Sequence, residues 1–188
     1  SMYLLAIDTA TNAGGVALAR NEEVLAMVMV KAPLQYSERL ISQIDFLLDQ
    51  FSLRPSNVDC LAAACGPGSF TGIRIGLAAV KAFGQALGRP VVGVSTLTAL
   101  AWRFRDVAPL VAPMIDARRQ QIFGAVVDVS GREPAVRKEE SVLPPGEWLK
   151  RLPAEEDCLL VGDGAQMYAS TAAALRPGDR VIGSDNRI

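Results

Sequence analysis

A Gly-Pro-Gly turn near the middle of the chain constrains its fold more than any other stretch. The turn lies in the segment CGPGSFTGIR (65–74), after the apolar run 59–65. The segment 72–88 that follows carries no charge apart from Arg74 and Lys81. A short apolar run indicates a buried strand, and a longer one indicates a helix. The pattern therefore predicts a strand that enters a tight turn and continues at once as a helix.

The turn itself allows two interpretations. Pro67 fixes its own φ, and Gly66 and Gly68 permit backbone angles that other residues avoid. Ser69 and Thr71 are the candidate N-cap residues of the helix. Such a loop directs backbone N–H groups outward, which suits an anion such as phosphate. It serves equally as a compact strand-to-helix connection without a ligand, because a lone glycine-rich loop is a weak signal.

Composition excludes several classes of function. The 188 residues suffice for one large domain or two small ones, and half of them are hydrophobic. The formal net charge of -1 argues against a protein that binds nucleic acid without a partner protein, since phosphate neutralisation needs clustered Lys and Arg. The sequence contains no histidine. This excludes His-based acid–base catalysis, His-bearing triads and metal sites with histidine ligands.

The cysteines predict neither a metal site nor a disulfide framework. Cys60, Cys65 and Cys158 have no CxxC spacing and are odd in number. We interpret them as reduced thiols of a cytoplasmic protein. No apolar run reaches transmembrane length, and the N-terminus has no basic, signal-like region. We therefore expect a cytoplasmic protein without a membrane contact or a metal.

Hydrophobic periodicity predicts two α/β units. Three short apolar runs within 3–30 indicate an antiparallel meander, and the apolar spacing within 40–51 indicates an amphipathic helix. The second unit repeats the opening order of strand, acidic residue, turn and strand. We expect the boundary near residue 104, which gives an N-terminal unit of 1–104 and a smaller C-terminal unit of 105–188.

Polar residues follow the first predicted strand. In actin-like phosphotransferases, a strand–Asp–turn–strand of this form cradles a phosphate. Asp8 would then position a metal or water, while Thr9 and Thr11 would offer hydroxyls. Alternatively, Asp8 and Thr9 satisfy the turn through local hydrogen bonds. The absence of a nearby Lys or Arg in the sequence favours this second interpretation.

The second unit contains two comparable turns. Asp116 precedes Arg118 and Arg119, which could pair with a phosphate or with a partner's carboxylate. A solvated turn is the alternative, above all for Arg119. Gly162 and Gly164 flank an aspartate in what is either a third nucleotide-facing loop or a plain strand-to-helix turn.

The helix predicted after Gly72 is apolar nearly all round. Small residues recur at Gly72, Gly76, Ala79 and Gly84, and they allow another element to approach closely. Packing against the protein's own core is one explanation. A helix that is apolar on more than one side also predicts a partner on the second side. On this basis we expect self-association or binding to another protein.

Three segments together resemble the bacterial TsaB (YeaZ) family, whose members are non-catalytic relatives of the TsaD enzyme. They are LLAIDT (4–9), GPGSFTGIR (66–74) and VSTL (94–97). The resemblance implies an α/β fold of the actin-like ATPase type (ASKHA, ribonuclease H-like) with two related subdomains. It also implies a role in forming N6-threonylcarbamoyladenosine at position 37 of tRNAs that read codons starting with A.

The resemblance implies partners rather than an active site of the chain's own. A TsaD-type transferase is the expected main partner, and a TsaE-type ATPase joins it. Alone, the chain is expected to form a homodimer, and contact with tRNA is expected to be indirect or weak. No cofactor of its own is expected, and ATP or ADP is expected only at the interface of the complex. The older peptidase label of the family is rejected, because the histidine pair of TsaD-like metal sites does not exist here.

In the family, the first two helices form the partner and dimer contact. Carried over, the interface residues are Ser37, Leu40, Ile44, Gly72, Ile73, Gly76, Ala79, Val80 and Phe83. The residues of vestigial nucleotide-facing loops are Asp8, Thr9, Gly66, Gly68, Ser69, Thr71, Asp116, Gly162 and Gly164. The alternative function is a small kinase-like or ATP-hydrolysing enzyme that uses these loops.

The sequence departs from the family pattern in two places. Family members often carry a histidine before the serine that opens the first long helix, whereas the stretch 34–37 reads LQYS. Relatives also continue into a closing helix that returns to the first unit, and we expect the C-terminal unit to lack it.

Overall fold

The chain divides into two compact units. A computed structural model describes residues 1–31 and 36–183. Unit 1 comprises Ser1–Ser95 and unit 2 comprises Thr96–Ile188. The boundary therefore precedes the predicted one at 104. The reason is that helix α3 (Thr96–Trp102) buries Leu97 and Ala101 in a core cluster of unit 2.

Unit 1 contains a five-stranded sheet in the order β3-β2-β1-β4-β5. Its strands are β1 (Tyr3–Asp8), β2 (Gly14–Arg20), β3 (Glu23–Val30), β4 (Cys60–Ala64) and β5 (Val91–Val94). The first three strands form the predicted antiparallel meander. β4 and β5 add in parallel, because a helix rather than a hairpin leads into each of them.

Two long helices connect the strands of unit 1. They are α1 (Tyr36–Gln50) and α2 (Phe70–Leu87), and a short 3₁₀ turn at Pro55–Asn57 precedes β4. The predicted apolar face of α1 is buried at Leu40, Ile44, Leu47 and Leu48. Ile41 and Phe51, predicted on the same face, are exposed, and Phe51 lies beyond the end of α1.

Unit 2 contains a second five-stranded sheet, in the order β8-β7-β6-β9-β10. Its strands are β6 (Leu110–Asp116), β7 (Ile122–Asp128), β8 (Ala135–Leu143), β9 (Leu159–Val161) and β10 (Arg180–Ile182). The sequence did not predict β8, since its middle is charged. An edge strand tolerates such charges, which lie outside the core.

The helices of unit 2 are short. They are α4 (Pro145–Lys150), α5 (Asp163–Met167) and α6 (Ala169–Leu175). The sequence predicts one helix over 165–175, but the helix breaks at Tyr168, whose φ of -110° is not helical. Trp148, Leu149 and Leu160 are among the fully buried side chains of this unit.

The two units repeat one topology. Each begins with an antiparallel three-stranded meander and adds two parallel strands on the side of its first strand. The predicted pair of related subdomains is therefore confirmed. In the described part of the chain, we find no helix with the length and apolarity needed to cross a membrane.

Candidate functional site

The Gly-Pro-Gly loop is fastened to the end of β1. The backbone N–H of Ser69 donates to the carbonyl oxygen of Ala10 at 2.7 Å. Ser69 is also the N-cap of α2, since its Oγ accepts a hydrogen bond from the N–H of Gly72 at 3.2 Å. Gly66 and Gly68 have φ angles of 114° and 153°, which favour glycine. The loop thus sets the position of the first turn of α2.

The polar residues after β1 serve the same junction. The hydroxyl of Thr9 is buried and donates to the carbonyl oxygen of Gly72 at 2.6 Å. The N–H of Ala10 donates to Oδ1 of Asp8 at 2.9 Å, and the Thr11 hydroxyl donates to the carbonyl oxygen of Ala13 at 3.0 Å. These contacts support the second interpretation of the turn, in which the side chains satisfy local backbone groups.

The glycines of α2 face the protein's own sheet. A Cβ atom at Gly72 would overlap the carbonyl oxygen of Thr9, and one at Gly76 would lie 2.6 Å from the Thr9 hydroxyl oxygen. A Cβ at Gly84 would overlap the side chain of Val91. The idea that this row of small residues presents a second face to a partner is therefore wrong. The row lets α2 approach β1 and β5 closely.

The predicted interface residues divide into two groups. Within unit 1, the buried group consists of Leu40, Ile44, Gly72, Gly76 and Val80. These residues meet the core instead of solvent, so their assignment as contact residues is corrected. Ile73, Ala79 and Phe83 are partly buried, and their role in an interface stays a prediction. The side chain of Ser37 lies outside the described residues.

A different row of α2 is exposed. Phe70 is 74% exposed at the first turn, and the guanidinium carbon of Arg74 lies 5.3 Å from the centroid of its ring. Ala78, Lys81 and Ala82 continue the exposed row. These positions recur at helical spacing on the side opposite to the glycines. Helical spacing in the sequence alone could have distinguished these exposed positions from the buried positions of the glycine row.

Helix α1 adds exposed apolar side chains to the surface of unit 1. Ile41 and Phe46 are both at least half exposed. Asp45 and Asp49 are exposed on the same helix, whereas α2 contains only the cations Arg74 and Lys81 as charged residues. Contiguous exposed apolar patches mark protein–protein contacts, whereas apolar side chains exposed singly are common on any protein surface.

In unit 2, the structure brings the three predicted loop residues together. Oδ1 of Asp163 accepts a hydrogen bond from the N–H of Asp116 at 3.0 Å. Gly162 and Gly164 lie against the carbonyl group of Met114, where a Cβ would clash. Oδ1 of Asp116 accepts from the N–H of Arg118 at 2.9 Å. As in unit 1, the acidic residue at the end of the strand organises its own turn.

The cysteines have different environments. Cys60 and Cys158 are buried, whereas Cys65 is exposed and its Sγ lies 3.3 Å from the carbonyl oxygen of Val94. Burial raises the pKa of the Cys158 thiol to about 11, so this thiol is protonated at neutral pH and a poor nucleophile. Among the described residues, no three or more His, Cys, Asp or Glu side chains form a group that could hold a metal ion.

Two α/β units whose sheets have the same strand order define a duplicated protein of the actin-like ATPase fold (ASKHA). The ethanolamine utilization protein EutJ from Carboxydothermus hydrogenoformans has a similar fold, with a TM-score of 0.52 at 11% identity over 97% of this chain and 85% of its own. That likeness concerns the fold alone.

Sequence comparison then assigns the family. A family model described as TsaD, tRNA N6-adenosine threonylcarbamoyltransferase, matches residues 30–176. The tRNA threonylcarbamoyladenosine biosynthesis protein TsaB of Bacillus subtilis is 32% identical over 80% of this chain and 66% of its own. YeaZ from Pseudomonas aeruginosa superimposes with a TM-score of 0.83 at 32% identity, over 98% of this chain and 85% of its own. The chain belongs to the TsaB (YeaZ) family.

The match to curated relatives is partial in length. TsaB of Escherichia coli is 35% identical over 66% of this chain but 54% of its own. Together with the 66% of the B. subtilis protein, this means that the chain spans about half to two thirds of the curated relatives it matches.

Proposed function

We propose that the chain acts in the biosynthesis of N6-threonylcarbamoyladenosine at position 37 of tRNAs that read codons starting with A. Its role is that of a non-catalytic partner and activator of a TsaD-type transferase. The names of the B. subtilis and E. coli relatives support the pathway, and the TsaD family model supports the kind of partner.

The exposed apolar surface of α1 and α2 carries the proposal. Phe70, Ile41 and Phe46 are large apolar side chains that remain accessible on helices whose opposite faces fill the core. An aromatic ring stacked with an arginine is a typical anchor of a protein interface. An activator without a catalytic constellation of its own needs such a surface, because it acts by holding its partner.

The polar contacts at the two acidic turns support a chain that binds no nucleotide alone. The Thr9 hydroxyl and one oxygen each of Asp8 and Asp116 engage local backbone groups. In this proposal ATP or ADP binds only at the interface of the complex, which a TsaE-type ATPase joins. Contact with tRNA is indirect or weak, in keeping with the net charge of -1, and the site of action is the cytoplasm.

The test measures threonylcarbamoyl transfer to tRNA by a TsaD-type transferase with and without this chain. Transfer should depend on the chain, and Phe70→Glu should weaken the complex at least about ten-fold by removing the anchor. Glutamate suits the first turn of a helix, so the fold should persist. Val136→Glu, an exposed change in unit 2, is the matched control and should leave binding unchanged.

Two results would overturn the proposal. One is full transfer activity in the absence of the chain together with no binding to the transferase. The other is tight binding of ATP and magnesium by the isolated chain in isothermal titration, which would favour the kinase-like alternative.

A further inference from the structure

The turn between β6 and β7 holds three consecutive residues in a backbone conformation that side chains disfavour. Arg118, Arg119 and Gln120 have φ angles of 65°, 52° and 59°. In this left-handed region the Cβ atom of an L-residue crowds its own backbone, so each such residue costs free energy. Among the described residues other than glycine, only Asn21 and Ser52 also have a positive φ, and they occur singly. Unfavourable backbone angles are therefore concentrated at this turn.

The equivalent turn of unit 1 shows that the topology does not require this strain. It joins β1 to β2 over residues 9–13, at the same place in the duplicated fold. None of these five residues, all of which the structure describes, has a positive φ. The turn of unit 2 also lacks glycine, which would adopt such angles without steric cost. Strain that is kept where the fold does not need it indicates a function for the side chains.

Hydrogen bonds from neighbouring backbone groups hold the turn in place. The N–H of Ala117 donates to the carbonyl oxygen of Gln121 at 3.0 Å, and the N–H of Gln121 donates to that of Arg118 at 2.9 Å. The Asp116 carboxylate accepts from the N–H of Arg118 and lies 3.4 Å from its guanidinium group. None of these contacts uses the side chain of Arg119, which is exposed.

The exposed end of this turn consists of long polar side chains alone. The Arg118 side chain is 82% exposed, and Arg119 and Gln120 are exposed beside it. Protein contacts centre on aromatic or apolar anchors, and these three positions supply none. A phosphate group needs only charge and hydrogen-bond donors, and a guanidinium group can donate to it through two N–H groups at once. The turn therefore fits a phosphate better than it fits the surface of a protein.

We infer that this turn contacts a phosphate group of the tRNA backbone in the complex with the transferase. The inference rests on the proposed function, which supplies the RNA, and it gives the weak contact with tRNA a location. Arg119 donates to the phosphate, while Asp116 orients Arg118 beside it. One or two such contacts carry little affinity, in keeping with a chain whose formal net charge is -1. The contact positions the tRNA and reads no base, because phosphates carry no sequence information.

The test measures how the affinity of the complex for tRNA depends on salt. The probe is a fluorescently labelled, unmodified tRNA that reads a codon starting with A, bound to the complex of this chain with a TsaD-type transferase. Each phosphate contact contributes about 0.7–0.9 to the slope of log K against the logarithm of the salt concentration. Arg119→Gln should reduce the slope by that amount and weaken binding about five-fold at about 50 mM salt. The KM for tRNA should rise by the same factor, whereas kcat at saturating tRNA should not fall.

Three further variants separate a phosphate contact from general effects. Arg103→Gln removes the same charge from an exposed position before β6 and should leave the slope unchanged. Arg119→Gly accepts the left-handed backbone without steric cost, so it should bind tRNA as weakly as Arg119→Gln without lowering the midpoint of urea unfolding. Arg119→Lys retains the charge and therefore the slope, but it loses the paired donors and part of the affinity.

Three results would overturn the inference. One is an unchanged slope for Arg119→Gln in a complex whose transfer activity depends on the chain, which leaves the proposed function intact. Another is an equal fall in slope for Arg119→Gln and Arg103→Gln, which would indicate net charge and not a site. The third is weaker binding of Arg119→Gln to the transferase without tRNA, since the turn would then hold a carboxylate of that protein. A transferase that neither needs nor binds the chain would overturn the proposed function and this inference together.

Discussion

In unit 1, helix α2 runs for 18 residues and rests on β1 through glycines, whereas in unit 2 the helix that follows the equivalent parallel strand, α5, has 5 residues. At the first junction Gly72 lies against the carbonyl oxygen of Thr9, and the Thr9 hydroxyl donates to the carbonyl oxygen of Gly72. At the second junction Gly162 and Gly164 lie against the carbonyl group of Met114, and the carboxylate of Asp163 accepts a hydrogen bond from the N–H of Asp116. Both junctions therefore combine a close glycine contact with a side-chain hydrogen bond, and the units differ in the length of the helix that follows.

Close backbone contact leaves the outer side of α2 available. The glycines contact the sheet through their backbone atoms. On the other side of the long helix, Phe70, Arg74 and Lys81 are exposed to solvent. Both units use polar side chains within their own loops, but the helices of unit 2 are short.

The largest effect should come from the ion pair that ties the loops of unit 2 together. The Arg176 guanidinium donates to both carboxylate oxygens of Asp179 at 2.8 and 3.1 Å, and to the carbonyl oxygens of Pro153 and Glu156. The Asp179 side chain is 1% exposed. Arg176→Met should lower the free energy of unfolding by about 3–5 kcal/mol, because it leaves a buried carboxylate without its counter-ion, with only the hydrogen bond from the N–H of Cys158.

Tryptophan fluorescence in urea measures this effect, since Trp102 and Trp148 both lie in unit 2. Arg137→Met is the control. Arg137 is half exposed and pairs with Asp128 at 3.4 Å, so its loss should cost at most about 1 kcal/mol. Equal losses in the free energy of unfolding for the two variants would contradict the larger contribution expected from the Arg176–Asp179 pair.

A smaller loss should follow from filling the glycine contact of unit 1. Gly72→Ala gains helix propensity, but its Cβ meets a backbone oxygen that cannot rotate away. The net loss of stability should be about 2 kcal/mol, measured by circular dichroism, which reports the long helices. Gly146→Ala in α4 is the matched control, because its Cβ would lie 3.9 Å from Leu175 and should stabilise by up to about 1 kcal/mol. A neutral Gly72→Ala would contradict the close-contact explanation.

The smallest effect concerns the start of α2. Ser69→Ala removes the acceptor for the N–H of Gly72 and should cost about 1 kcal/mol in a urea unfolding curve followed by circular dichroism. Among the described helices, α4, α5 and α6 begin without a side-chain cap bond, in contrast to α2. Thr71→Ala should change stability by less than about 0.5 kcal/mol, because Thr71 is exposed within the helix. If Thr71→Ala cost more than Ser69→Ala, Thr71 would be the cap.

Local patterns in the sequence predicted most of the fold. The meander, the strand before the Gly-Pro-Gly turn and the long helix after it follow from short-range periodicity and from turn residues. The duplication was visible in the order of elements. Strand β8 and the break at Tyr168 were not predicted, since edge strands need no apolar pattern and a break in a helix depends on packing at a distance.

The site was predicted less well than the fold. The motif 66–74 located the loop, because its glycines and its cap residue act within one turn of the chain. The same motif is one of the three segments that indicated the family. The buried or exposed state of each side of α2 was decided by tertiary structure. Glycines at 72 and 76 could face a partner or a sheet, and only the position of Thr9, far away in sequence, determined that they face β1. Local signals in the sequence suffice to predict a strand, a tight turn and a helix here. The packing of that helix decided that Phe70, and not the glycine row, remains exposed.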